Sequence, residues 1–162
     1  MKTSMCSALS LVLCVLLTQT TPSLARGPCA VMPTTLRCEY LSDPLGIDVT
    51  EPRLSWQLAA TDSIARGQRQ SAYHVLVAST KDLLDRDQGD LWDSGMVASE
   101  QSVHVVYRGG PLQSRMQCYW KVRVKDEGGV VSPWSESARW TMGLLNETDW
   151  SARWIGTDKV FE

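Results

Sequence analysis

Little in this sequence invites catalysis. Its two histidines, His74 and His104, are far apart, and neither lies near a cysteine, so zinc-ligand spacing is absent. No Cys-x-x-Cys and no Gly-x-Ser-x-Gly occurs, which removes the dithiol and nucleophile-elbow patterns. The glycine pairs Gly109-Gly110 and Gly128-Gly129 read as hairpin chemistry rather than phosphate loops. A formal net charge of −2 gives no electrostatic reason to expect nucleic acid or an anionic membrane as partner. No catalytic residue, no cofactor-binding residue and no metal ligand is expected. One short segment, around Lys81-Asp82-Leu83-Leu84-Asp85, has a helical pattern, which excludes an α/β alternation.

Long apolar runs are also missing. The single candidate, Ala8 to Leu17, falls short of the ~20 residues a spanning helix needs. Lys2 precedes it and Ser23-Leu24-Ala25 follows it, the order of a secretory signal cleaved after Ala25. Residues 1–25 are therefore assigned to a signal peptide, with export to the periplasm or beyond and no membrane association after cleavage. Lys2 is the only charge in that segment, so its loss moves the net charge from −2 to −3. Three cysteines remain, Cys29, Cys38 and Cys118, an odd number that leaves at least one unpaired in a monomer. Cys29 and Cys38 are close enough in sequence to close a short loop. Cys38 and Cys118 fall on apolar faces, where buried thiols are the simpler reading.

What the chain does have is alternation with a period of two. Residues 26–34 read as an irregular lead-in. Leu36, Cys38 and Tyr40 share one face, and Asp43-Pro44-Leu45-Gly46 is turn chemistry. Leu54, Trp56 and Leu58 alternate with polar neighbours. Tyr73, Val75 and Val77 alternate with His74 and Ala78, and Val103, Val105 and Tyr107 form one face of the next strand. Leu91 to Gly95 reads as a short strand and bend. Cys118, Trp120, Val122 and Val124 give the clearest strand, and Ala138, Trp140 and Met142 the last. Seven strands separated by turn signals predict an all-β, antiparallel Greek-key sandwich of fibronectin type III or immunoglobulin-like type over residues 35–145, with one short helix capped by Ser79 or Thr80. Leu54, Trp56, Val75, Val77, Trp120, Val122 and Trp140 form its predicted core. Residues 146–162 read as a linker and the truncated start of a further domain.

Several pieces of this pattern carry a family resemblance. Leu36-Arg37-Cys38-Glu39-Tyr40-Leu41, Pro44-Leu45-Gly46-Ile47-Asp48 and Pro52-Arg53-Leu54-Ser55-Trp56 come first. Gln70-Ser71-Ala72-Tyr73, Leu91-Trp92-Asp93-Ser94-Gly95, Tyr119-Trp120-Lys121-Val122-Arg123-Val124 and Trp154-Ile155-Gly156 follow in order. Together they resemble the N-terminal fibronectin-type domain of bacterial α-L-rhamnosidases of glycoside hydrolase family 78. The resemblance implies a secreted, multi-domain enzyme that removes terminal α-L-rhamnose with inversion. Its catalytic acids lie in a helical barrel downstream of this region, so none is carried over to this chain. It also implies downstream domains of a parent enzyme as partners, and rhamnose-containing glycans as ligands of that enzyme. A stand-alone carbohydrate-binding or adhesion-type module is the alternative. One departure stands out: a fibronectin-type domain places a tyrosine six residues after Leu112, and here Cys118 occupies that position, so the tyrosine corner is expected to be missing.

Seven tryptophans supply the candidate contact residues. Trp92, Trp134, Trp150 and Trp154 are the candidates for contact with carbohydrate or a neighbouring domain. Of these, Trp134 sits in Ser132-Pro133-Trp134-Ser135, which resembles the Trp-Ser element near the last strand of cytokine-receptor modules, and that resemblance implies stacking on outward-pointing Lys121 and Arg123. Trp92 is expected to close the sandwich edge, and Trp150 and Trp154 to pack on a further domain. Asp82, Asp85, Asp87, Asp90 and Asp93 cluster around the short helix without EF-hand spacing and read as a solvated acidic loop. Asp126 and Glu127 sit in a turn without an obvious partner. Asn146-Glu147-Thr148 forms a sequon.

Overall fold

The computed structural model describes residues 27–64, 66–153 and 155–156. The proposed signal peptide, residues 1–25, and Trp154 lie outside the described residues. Two antiparallel sheets face each other. The first orders β1 (Val31–Cys38), β2 (Arg53–Ala60) and β6 (Val105–Val106). The second orders β4 (Trp92–Asp93), β3 (Gln70–Ala78), β7 (Gln117–Asp126) and β8 (Ala138–Thr141), with β5 (Val97–Ala98) also paired to β3. A five-residue helix, α1 (Lys81–Asp85), leads from β3 towards β4, and Thr80 caps it by accepting from the Leu83 N–H.

The strand count is eight rather than seven. The segment opposite β3 is split because Gly95, at φ +59°, turns the chain out of the sheet between β4 and β5. A left-handed residue cannot continue a ladder, and glycine adopts that conformation without a Cβ clash. Two further expectations are corrected. The first strand starts at Val31, inside the stretch read as irregular, and ends at Cys38. Tyr40 then leaves its predicted inward face: it sits in a turn at φ +66° and is 54% exposed. Val103 is likewise exposed, because His104 at φ +56° bends the chain before β6 begins at Val105.

The alternation produces the core as predicted. Leu54, Trp56, Val75, Val77, Trp120, Val122 and Trp140 are buried between the sheets. Each fully buried large apolar side chain stabilises the fold by ~1.5–3 kcal/mol, so the facing rows of β2, β3, β7 and β8 dominate its energetics. Cys29, Cys38 and Cys118 are buried free thiols in this core. Burial pushes the thiols of Cys38 and Cys118 up to about 12. Cys118 thus fills the inward position of the absent tyrosine. A different hydroxyl ties the chain nearby, since Tyr107 donates to the carbonyl of Gly110 at 2.8 Å. Tyr119 faces the other way, against the small cluster of Leu76, Ala78 and Leu84.

The outer edge of β8 is covered by a loop. The segment predicted as a turn at 43–46 lies along β8: Thr141 donates to the Pro44 carbonyl, Ile47 donates to the Thr141 carbonyl, and Gly143 to that of Ile47. This blocks the outer edge of β8 from pairing with another chain. Gly109 has a different reason for being glycine from the hairpin role first read into it. A Cβ there would lie 2.3 Å from the Leu91 carbonyl oxygen and 2.6 Å from the Trp92 Cβ, so the loop after β6 packs directly against the start of β4.

Candidate functional site

The outer face of the β3–β7 sheet carries a stacked polar ladder. Period-two alternation on β7 puts Lys121 and Arg123 on the face opposite Trp120 and Val122. Trp134, in the loop before β8, covers both: its ring lies 4.5 Å from the Arg123 guanidinium carbon and 5.1 Å from the Lys121 Nζ. The expected stacking is therefore present. Lys121, however, does not point out to solvent. It is 7% exposed, roofed by α1 and Trp134, and donates to the Leu84 carbonyl at 2.6 Å and to Asp87 Oδ1 at 2.5 Å.

His74 continues the ladder. Its ring meets Trp134 edge-on with centroids 5.0 Å apart, and its Nδ1 accepts from Arg123 at 3.1–3.2 Å. Arginine has only donors, so Nδ1 must be the accepting nitrogen, and Nε2–H then donates to Asp93 Oδ1 at 2.6 Å. Trp134 is thus half-buried against two cations and an imidazole of the protein itself.

The acidic cluster is partitioned among structural partners. Asp85 pairs with Lys81, Asp87 with Lys121, and Asp93 with His74 and the Gly95 N–H. Asp90 accepts from both the backbone and the hydroxyl of Ser79. Among the described residues no group of three or more potential ligands is arranged to hold a metal ion. The turn carboxylates also have partners, contrary to expectation. Asp126, 5% exposed, accepts from the backbone N–H groups of Ala30 (2.9 Å) and Val130 (2.8 Å), and Glu127 pairs with Arg69. Sequence offers no cue for these, because the partners are backbone groups or distant in the chain.

Gln70 was not singled out from the sequence and proves central. It is 1% exposed, accepts from the indole N–H of Trp56 at 3.0 Å, and donates to the Gln101 carbonyl at 2.7 Å. It pins the irregular segment between β5 and β6 to the core, a role that a lone polar residue at a strand start does not announce.

Trp92 lies at the open edge of the sandwich, where β4 of one sheet and β6 of the other diverge. Its ring meets Tyr107 edge-on with centroids 5.5 Å apart. It also lines a cleft of about 380 Å³ with Tyr73, Asp93, Gln101, His104 and Arg108. Trp150, 62% exposed, follows a short 3₁₀ turn (Glu147–Asp149) that is tied down by Ser114 and Asn146 on Asp149 Oδ2 and by Arg115 donating to the Asp149 carbonyl at 2.8 Å. The four candidate tryptophans are therefore not brought together: Trp134 is in the ladder, Trp92 in the cleft, Trp150 at the far end of the tail, and Trp154 outside the described residues.

Comparisons with known proteins agree with this architecture. Residues 33–146 match the family described as the Rha78A-like, N-terminal immunoglobulin domain. An α-L-rhamnosidase of Streptomyces avermitilis is 47% identical over 126 residues, which cover 78% of this chain and 12% of that protein. One from Formosa agariphila is 41% identical over 118 residues, covering 73% of this chain and 12% of the relative. Among solved structures, the Streptomyces avermitilis α-L-rhamnosidase complexed with L-rhamnose superposes with a TM-score of 0.72 at 46% identity, over 78% of this chain and 12% of that one. The α-L-rhamnosidase of Dictyoglumus thermophilum gives 0.72 at 35% identity, over 78% and 14%. The chain thus spans about an eighth of the length of the curated relatives it matches. With its paired antiparallel sheets and its match over most of its length, this chain belongs to the family of Rha78A-like N-terminal immunoglobulin domains.

Proposed function

We propose that this chain is the non-catalytic N-terminal accessory module of a secreted α-L-rhamnosidase of glycoside hydrolase family 78, and that it braces the domains that follow it in such an enzyme. The observation that carries this reading is the extent of the likeness, which is confined to the N-terminal immunoglobulin domain, 12% of the relatives' length. The chemistry supports it. Inverting glycoside hydrolysis needs two carboxyl groups about 6.5–9.5 Å apart across a cleft, one of them held protonated. Here Asp85, Asp87, Asp90, Asp93 and Asp126 are committed to lysine, histidine, hydroxyl or backbone partners. Contact with other domains has a surface available. Leu45, Val49, Leu144, Trp150 and Ile155 are exposed, and the bridge between Ile47 and Met142 joins the two segments that carry the first three.

The test is release of the chromophore from an aryl α-L-rhamnoside. The purified chain is expected to give no turnover above a preparation lacking it. Turnover that tracks the protein and is abolished by Asp90→Asn or Asp93→Asn would overturn the reading and place an active site beside α1.

A further inference from the structure

We propose that the cleft between β4 and β6 is a binding subsite for a single pyranose residue bearing a carboxylate, a uronate in chemical class. This goes beyond the accessory role and does not depend on it. Three observations meet there. Tyr73 is 8% exposed and lines the cleft, yet its hydroxyl makes no hydrogen bond with any described residue. That hydroxyl is not sealed off: among the described residues the buried side-chain polar atoms without a partner are the indole nitrogens of Trp120 and Trp140, so the phenol O–H opens onto the cleft and is available to a ligand. Arg108 lines the same cleft and has neither an ion pair nor a hydrogen bond among the described residues. It acts electrostatically on the Tyr73 phenol, partly offsetting the rise that burial causes. The third is the half-buried Trp92, whose indole supplies an aromatic wall of the kind sugar C–H faces pack against.

Most other polar groups of the cleft have protein partners, His104 on the Tyr40 hydroxyl among them, which makes the site directional. Asp93 is held by His74 and by the Gly95 N–H, and Ser94 is held by Val75 and Gly95. Gln101 spends its amide N–H groups on the Val103 and His104 carbonyls, which leaves its side-chain oxygen as an acceptor for a sugar hydroxyl. What remains unmatched is one cation and one phenol against one indole. A carboxylate answers the guanidinium with a charge-assisted pair and also accepts from the Tyr73 hydroxyl, while the ring it is attached to covers Trp92. The volume of about 380 Å³ suits a ligand of this size rather than a long glycan chain.

The experiment is an NMR titration of the ¹⁵N-labelled chain with methyl β-D-glucuronide, methyl β-D-glucoside and sodium acetate. For a ligand this small a Kd of about 1 mM is expected for the glucuronide. Saturable shifts should centre on the Trp92 indole and the Arg108 backbone. The glucoside and the acetate should each bind at least tenfold more weakly. Arg108→Gln should weaken the glucuronide at least tenfold, and Tyr73→Phe severalfold. Arg108 is exposed, so its variant should keep the wild-type melting curve, and an unchanged spectrum outside the cleft verifies that. Absence of saturable shifts, equal binding of glucuronide and glucoside, equal binding of glucuronide and acetate, or an unchanged Kd in Arg108→Gln would each overturn the proposal. None of these outcomes bears on whether the chain hydrolyses a rhamnoside.

Discussion

At the scale of single residues, the indole nitrogens separate two kinds of tryptophan in this core. Trp56 satisfies its N–H on Gln70, whereas the N–H groups of Trp120 and Trp140 are buried with no partner. Trp120→Ala removes the whole ring and should destabilise by ~3–5 kcal/mol. Trp120→Phe should cost clearly less, ~1–2 kcal/mol, because the lost volume is partly offset by removing an unpaired donor whose burial itself costs ~1–3 kcal/mol. Denaturant melts of the two variants check this, and equal losses would mean that the N–H is solvated. Lys121 is the other instructive residue. Its removal leaves the Leu84 carbonyl and Asp87 without their cation, so Lys121→Met should destabilise by ~1–3 kcal/mol. Lys81→Met, which breaks only the exposed pair with Asp85, should leave the melt unchanged.

At the scale of elements, Asp126 fastens three pieces at once: the approach to β1 through Ala30, the end of β7, and the turn at Val130. Burial alone would raise its carboxyl, but the N–H groups of Ala30, Val130 and Gly128 outweigh burial and hold it below the ordinary aspartate value of 3.8. A carboxylate whose folded pKa is depressed contributes stability that is complete above the unfolded value. That contribution is lost as pH falls through the lower, folded one. The domain should therefore lose stability below pH ~3.9, the unfolded range for aspartate. Asp126→Asn should be less stable at neutral pH and show a shallower acid limb in melts taken across that range. A variant with an acid limb as steep as wild type would place the titration elsewhere. Glu39, paired with Arg53 at 2.6 Å, is depressed in the same direction and adds to the same limb.

At the scale of the whole molecule, α1 and the Trp134 ladder close one outer face of the second sheet. The loop at 43–47 closes the β8 edge, and the β4–β6 edge is left as an open cleft. A covered β8 edge of this kind keeps a small sandwich from pairing edge to edge with another chain. If residues 1–25 are removed on export, mass spectrometry of the exported protein should find Arg26 at the N-terminus. Met1 on soluble cytoplasmic protein would exclude the signal assignment.

The alternation of Leu54-Ser55-Trp56, Tyr73 to Val77 and Cys118 to Val124 was enough to specify the two-sheet fold and its core, because a period of two admits only one burial pattern on a pleated strand. The stacking of Trp134 on Lys121 and Arg123 was legible from the resemblance of Ser132-Pro133-Trp134-Ser135 to a Trp-Ser element, together with the shared face of the two cations. Left-handed turns at Tyr40 and His104 were not, because the Tyr40 and Val103 segments keep an apolar alternation that the backbone then abandons. Nor were the partners of Lys121, Asp126 and Gln70, or the unmatched Tyr73 and Arg108 at one edge. Those pairings join residues distant in the chain, and only the packing of one sheet on the other decides which polar group is met and which is left without a partner.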